Sequence, residues 1–147
     1  MLTSDKRLFI AAAPQKDGTM KELCLDPRMA NRHGGYIGSG AALADIPSLP
    51  HGLHGVYISR YAGIGPGCRI YHNVTIGEVD GRAPSIGANC LIGAGAVLVG
   101  DIRIGDHVKI GAGAVVARDV PANSTVVAPP PRILPGGETA PDHENER

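Results

Sequence analysis

Tryptophan is absent from this 147-residue chain and phenylalanine occurs once, so no large aromatic cluster can fill its interior. The core has to come from Ile, Val, Leu and Ala. An excess of charge of one sign is lacking too. Fourteen Lys and Arg balance fourteen Asp and Glu, without the basic surplus or stripe that a nucleic-acid footprint needs. Cysteine is scarce, at Cys24, Cys68 and Cys90, too few and too scattered for a disulfide scaffold or a zinc knuckle. Free thiols in a reducing compartment fit that number better. No stretch approaches the ~18 apolar residues of a membrane span. The apolar run in "KRLFIAAAP", Leu8 to Ala13, is shorter than the h-region of a signal peptide. These absences point to a soluble, cytoplasmic protein with neither nucleic acid nor membrane as a partner.

Glycine, by contrast, is plentiful at 21 residues, which together with small β-branched residues suits stacked turns. The governing pattern is an internal repeat of six. Ile58, Ile64, Ile70 and Ile76 are followed, after the interruption "GEVDGRAPS", by Ile86, Ile92, Leu98, Ile104, Ile110 and Val116. Gly follows the aliphatic residue at 65, 77, 87, 93, 105 and 111. Four residues after each aliphatic stands a small or branched residue: Ala62, Cys68, Val74, Cys90, Ala96, Ile102, Val108, Ala114 and Val120. A helix needs a period of 3.6 and a half-buried strand a period of 2. A period of six fits a short strand plus a turn, one side of a triangular prism, with three hexads to a coil. The aliphatic points inward, the small residue turns the corner, and the glycine is expected to let the backbone bend. An imperfect earlier coil begins at "YIGSGAALADIPSL", where Ile37, Leu43 and Leu49 are again six apart.

This pattern resembles the hexapeptide-repeat family. The resemblance implies an all-β fold, a left-handed parallel β-helix, over residues 37–127, with an extruded loop at 77–85. A short irregular or partly helical segment at 1–36, with a helix in "TMKELCLDPRMA" ended by Pro27, and a polar tail at 128–147 flank it.

Fold does not give function, and three features point beyond a scaffold. They are the interruption in the repeat, the histidines His51, His54 and His72, and the ending "VPANSTVVAPPPRIL". Insertions in solenoids tend to line a binding face. Together these stretches look like the acyltransferase branch of the family, serine acetyltransferases and the short O-acetyltransferases of sugar and polysaccharide pathways. The resemblance implies a homotrimer with acetyl-CoA in the groove between prisms, no metal, and a histidine that takes the proton of the acceptor hydroxyl. His51, in "PHG" before the strand "GVYI", is the first choice for that base; His54 and His72 stay open. His33, His107 and His143 read as ordinary loop histidines. Motif matching implies Ala94 and Ala112 at the pantetheine arm, Ala117 and Arg118 near the nucleotide, and Arg132 with Arg118 on its phosphates. Glu78 or Asp80 would orient the imidazole or hold the acceptor.

The chain departs from the serine enzymes in three ways. The 35 to 50 residues before the repeat are too few for their long helical domain. Pro50 stands where an acid commonly precedes their histidine, and Ala83 and Pro84 stand where their loop carries a second one. The expected acceptor is therefore a sugar or glycan hydroxyl, with serine as the alternative. A non-catalytic scaffold and a metal enzyme of the γ-type carbonic anhydrase kind are readings of another class. The second needs three converging histidines, which the 35 residues between His72 and His107 make difficult.

Overall fold

The computed structural model describes residues 34–136. The helix expected at "TMKELCLDPRMA", Cys24, His33, His143 and most of the polar tail lie outside the described residues. Within them the chain forms thirteen short strands: β1 Tyr36–Ile37, β2 Ala42–Leu43, β3 Tyr57–Ile58, β4 Gly63–Ile64, β5 Arg69–Ile70, β6 Thr75–Gly77, β7 Ser85–Ile86, β8 Leu91–Ile92, β9 Val97–Val99, β10 Arg103–Ile104, β11 Lys109–Ile110, β12 Val115–Val116 and β13 Thr125–Val126. Every third strand stacks in parallel on its predecessor. The first sheet runs β1-β3-β6-β9-β12, the second β2-β4-β7-β10 and the third β5-β8-β11-β13. These are the three faces of a β-solenoid, and its coils are the repeats counted in the sequence.

The register follows the hexads. Ile37, Ile58, Ile76 and Leu98 align in the first sheet; Leu43, Ile64, Ile86 and Ile104 align in the second; Ile70, Ile92 and Ile110 align in the third. All of them are buried, and Ile58, Ile70, Ile76, Ile92, Leu98 and Ile110 are fully enclosed. Each such side chain contributes roughly 1.5–3 kcal/mol of transfer free energy. The earlier coil is present as expected: Ala42 and Leu43 pair with Gly63 and Ile64, and Ser48 bridges Arg69.

The role expected of the repeat glycines needs correction. Those following the inward aliphatic are required by close stacking. A Cβ on Gly65 would lie 2.6 Å from the backbone of Gly87, one on Gly93 2.7 Å from the nitrogen of Ala112, and one on Gly105 2.4 Å from that of Ala122. The bend is made two residues later. There the backbone is left-handed, at Gly67, Asn73, Asn89, Gly95, His107, Gly113 and Asn123. Gly and Asn tolerate that conformation best, and His is also enriched in it. His107, with φ 56°, is thereby a corner residue of the coil.

Two corners depart from the regular coil. Tyr57 pairs with Thr75, 18 residues on, whereas Ser48 pairs with Arg69, 21 residues on, so the corner between Ser48 and Tyr57 holds three extra residues. Gly63 pairs with Ser85, 22 residues on, so the corner between β6 and β7 holds four extra.

Candidate active site

The first enlarged corner carries His51. The chain leaves the third face at Ser48, rises through Leu49–Gly55 and returns to the first face at Tyr57. Gly52 and Gly55 give it positive φ values of 72° and 66°. Gly55 also has no room for a side chain, because a Cβ would lie 1.9 Å from Oδ1 of Asn73. Leu53 is buried and pins the excursion to the core, while His51 stays exposed. His72 occupies the same corner of the next coil, and the two imidazoles meet, Nδ1 to Nδ1, at 2.9 Å. Their ring centroids are 5.0 Å apart, and Tyr71 meets His51 edge-on at 5.3 Å. His54 does not join them. Its ring lies beside Gly34 and Gly52, and its carbonyl accepts a hydrogen bond from the Asn73 amide at 2.8 Å.

Below His72 the same corner continues as a column. The Gly95 amide donates to the His72 carbonyl at 3.1 Å, and the Gly113 amide to the Ala94 carbonyl at 2.9 Å. Ala94 and Ala112 therefore follow His72 down one edge of the prism, at the ~4.8 Å spacing of stacked strands. The histidine pair heads a run of two methyl side chains.

The second enlarged corner borders the opposite side of the first face. Val79 and Arg82 form an antiparallel bridge around Asp80 and Gly81, whose φ values are 51° and 73°. Two consecutive positive φ values at Asp-Gly mark a two-residue hairpin of type I′. Arg82 pairs with Asp101 at 2.9 Å, both side chains exposed. Glu78 accepts from the hydroxyl of Tyr57 at 3.3 and 3.4 Å, and Tyr57 stacks on Tyr36 at 5.1 Å. The Ser59 hydroxyl, then backbone and Tyr57 hydrogen bonds, hold the Glu78 carboxyl below its usual range. Tyr57 is raised by desolvation first and by the Glu78 charge second. Asp80 sits in the hairpin turn with no printed partner for its side chain.

The loop is less detached than the sequence implied. Pro84 is fully buried and its carbonyl accepts from the Gly63 amide at 3.0 Å, so Pro84 is the inward corner residue of its coil. Only Val79–Arg82 stand outside the hexad pattern.

Ala117 and Arg118 lie at the corner after β12, on the hairpin side, beside a depression of about 480 Å³ lined by Val115, Arg118, Pro121 and Ser124 among others. Within one chain they flank the first face on the side away from Ala94 and Ala112. Arg132 is exposed, beyond the last strand. The cysteines are core. Cys68 and Cys90 are buried, and each thiol donates to a carbonyl at 3.1 Å. Burial pushes Cys68 up to about 11, so its thiol stays protonated at neutral pH and is no nucleophile. Among the described residues no three His, Cys, Asp or Glu side chains cluster as a metal set, and no helix is long and apolar enough to cross a membrane.

The bacterial transferase hexapeptide pattern (six repeats) matches residues 83–118. That match falls on the coils whose register the strands show. The chain belongs to the hexapeptide-repeat family. Serine acetyltransferase of Synechococcus elongatus is 43% identical over 102 residues, covering 67% of this chain and 41% of that protein. Among solved structures, serine acetyltransferase of Neisseria gonorrhoeae in complex with serine superposes with a TM-score of 0.67 at 41% identity, over 74% of this chain and 45% of that one. Serine acetyltransferase isoform 3 of Entamoeba histolytica, in complex with cysteine, gives 0.70 at 25% identity over 91% and 60%. The chain spans less than half the length of the curated relative named here.

Sequence reasoning missed Tyr36, Tyr57, Ser59 and the Arg82–Asp101 pair. The Asp80–Gly81 dipeptide between Val79 and Arg82 was a legible hairpin signal. The tyrosine stack had none, since it depends on a 21-residue offset between coils.

Proposed function

We propose that the chain transfers the acetyl group of acetyl-CoA to the hydroxyl of serine, with His51 as general base. The observation that carries this reading is the enlarged corner, which presents an imidazole at the head of a column of small residues within a stretch similar to serine acetyltransferases. The sugar or glycan acceptor expected from the sequence has weaker support. The relatives named above are serine acetyltransferases, and one of the structures holds serine.

In this mechanism Nε2 of His51 takes the hydroxyl proton as the oxygen attacks the thioester carbonyl carbon. Backbone N–H groups hold the oxyanion of the tetrahedral intermediate. Its collapse breaks the C–S bond, and the imidazolium returns the proton to the departing sulfur, giving free CoA thiol and the ester. The methyl side chains of Ala94 and Ala112 leave room for a thin pantetheine arm beneath the histidines. Ala117, Arg118 and Arg132 supply the nucleotide side, with the two arginines on its phosphates. Because the two sets flank opposite borders of one face, a single cofactor would meet them from two neighbouring copies. That is the reason to expect a homotrimer, whose three grooves are equivalent. Glu78 is placed for the acceptor's ammonium group, and Asp80 is the outer hairpin charge beside it.

The test is thiol release from acetyl-CoA with serine, and separately with sugars and amino sugars. Serine-dependent release and O-acetylserine in the product support the reading. Faster release with a sugar reverses the acceptor assignment, and no release with any hydroxyl leaves a scaffold.

A further inference from the structure

We infer that His51 and His72 act as one unit, a dyad in which His72 is a positioning residue that sets the tautomer of the base; this rests on the acetyl-transfer reading above. The geometry is specific to particular atoms: Nδ1 of His51 lies 2.9 Å from Nδ1 of His72. At that distance one nitrogen carries a hydrogen and the other a lone pair. A neutral imidazole has a single N–H, so the choice propagates through each ring. When His51 donates through Nδ1, its Nε2 is bare and basic, and His72 carries its hydrogen on Nε2. When His72 donates, the roles exchange. The neutral pair therefore offers one basic Nε2 at a time, at a defined end.

The bare end belongs to His51. Its ring is exposed, on the three-residue excursion, and Tyr71 supports it edge-on. His72 is half-buried in a regular coil whose backbone is fixed by the Gly95 amide. A rigid coil residue thus orients the residue on the excursion. Leu49 and Pro50, just before His51, offer no side-chain acceptor for its Nδ1–H. When Nε2 of His51 takes up a proton, the Nδ1–H bond to His72 becomes charge-assisted and shortens. The titratable groups around the pair are Tyr71 and, three residues from His51, His54. Among the described residues no carboxylate pairs with either imidazole.

Asn places its Oδ1 where His has Nδ1, which makes three variants decisive. His72→Leu removes the acceptor and should lower kcat about 10–10²-fold, with the KM for acetyl-CoA nearly unchanged. His72→Asn keeps an acceptor without a titratable ring and should restore most of that loss. His72→Asp should also turn over, with the acid limb of its pH–rate profile moved to higher pH, because a carboxylate favours the imidazolium. Imidazole ¹⁵N NMR of the unmodified protein tests the tautomers without any activity. It should find His51 protonated at Nδ1 and bare at Nε2, and His72 the reverse. If that pattern holds but no hydroxyl is acetylated, the acetyl-transfer reading fails and the pairing survives. His72→Asn as impaired as His72→Leu, both rings protonated at Nε2, or His51→Asn active while His72→Asn is dead would each overturn the dyad. Stoichiometric zinc in the purified protein would also overturn it, since both Nδ1 atoms would then be ligands.

Discussion

The two enlarged corners of the solenoid were made in different ways. Three extra residues between Ser48 and Tyr57 form an open excursion, pinned by buried Leu53 and shaped by Gly52 and Gly55. Four extra residues, Val79–Arg82, close on themselves as a hairpin with its own backbone pair and an exposed ion pair to Asp101. The open corner leans on the next coil for its geometry, and it brings two imidazoles within hydrogen-bond distance. The closed corner makes its own geometry and leaves the coil beneath it, with Pro84 in the inward position, intact. An insertion that depends on its neighbour can aim a side chain, whereas one that seals itself mainly adds surface.

The largest expected effect comes from disarming the open corner. His51→Ala should cut turnover by about 10²–10⁴-fold while acetyl-CoA binding stays nearly intact, because Ala94, Ala112 and Arg118 lie in other coils. Steady-state kinetics beside a cofactor-binding titration checks this. Near-normal turnover in His51→Ala together with inactive His54→Ala would move the base to His54.

Deleting Val79–Arg82 joins Glu78 to Ala83 and restores six residues between Ile76 and Ile86, with Pro84 kept as the corner residue. Solenoid coils depend mainly on their neighbours, so the variant should fold and bind acetyl-CoA but lose acceptor-dependent transfer. A melting curve and a transfer assay on the same sample decide it. Unfolding would make the hairpin structural, and normal transfer would leave it without a part in the acceptor site.

Gly55→Ala probes how tightly the open corner is built. A side chain there meets Asn73 and sits at positive φ, so a loss of about 1–3 kcal/mol is expected, measurable by denaturant unfolding. The same substitution at Gly81, which also has positive φ but nothing within 4 Å of its Cβ, should cost less, from strain alone. The smallest effect should come from Arg82→Ala. An exposed ion pair contributes about 0–1 kcal/mol, and a drop well above that would show the hairpin gripping the next coil more firmly than its exposed contacts imply.

Much of the fold was legible because hexad spacing is a statement about direction. Residues six apart face the same interior, and each of Ile58, Ile64, Ile70 and Ile76 is buried where the count puts it. The left-handed corners were legible in hindsight, since Gly67, Asn73, Asn89, Gly95, Gly113 and Asn123 recur at one position of the hexad. The site was less so. Spacing alone made His51, His54 and His72 equal rivals, and it treated Pro84 as part of a loop.

By itself the sequence determined the repeat, the inward residues, the two places where the repeat is stretched, and the histidines near one of them. These follow from periodicity and composition, which act locally along the chain. Only the tertiary structure decided which groups meet. It set His51 against His72 across 21 residues, left His54 aside, stacked Ala94 and Ala112 beneath His72, and put Arg118 on the other border of the face. The physical reason is that contacts between coils depend on the summed length of everything between them. Three residues added at one corner shift which side chains stand above one another, and no local pattern records that sum.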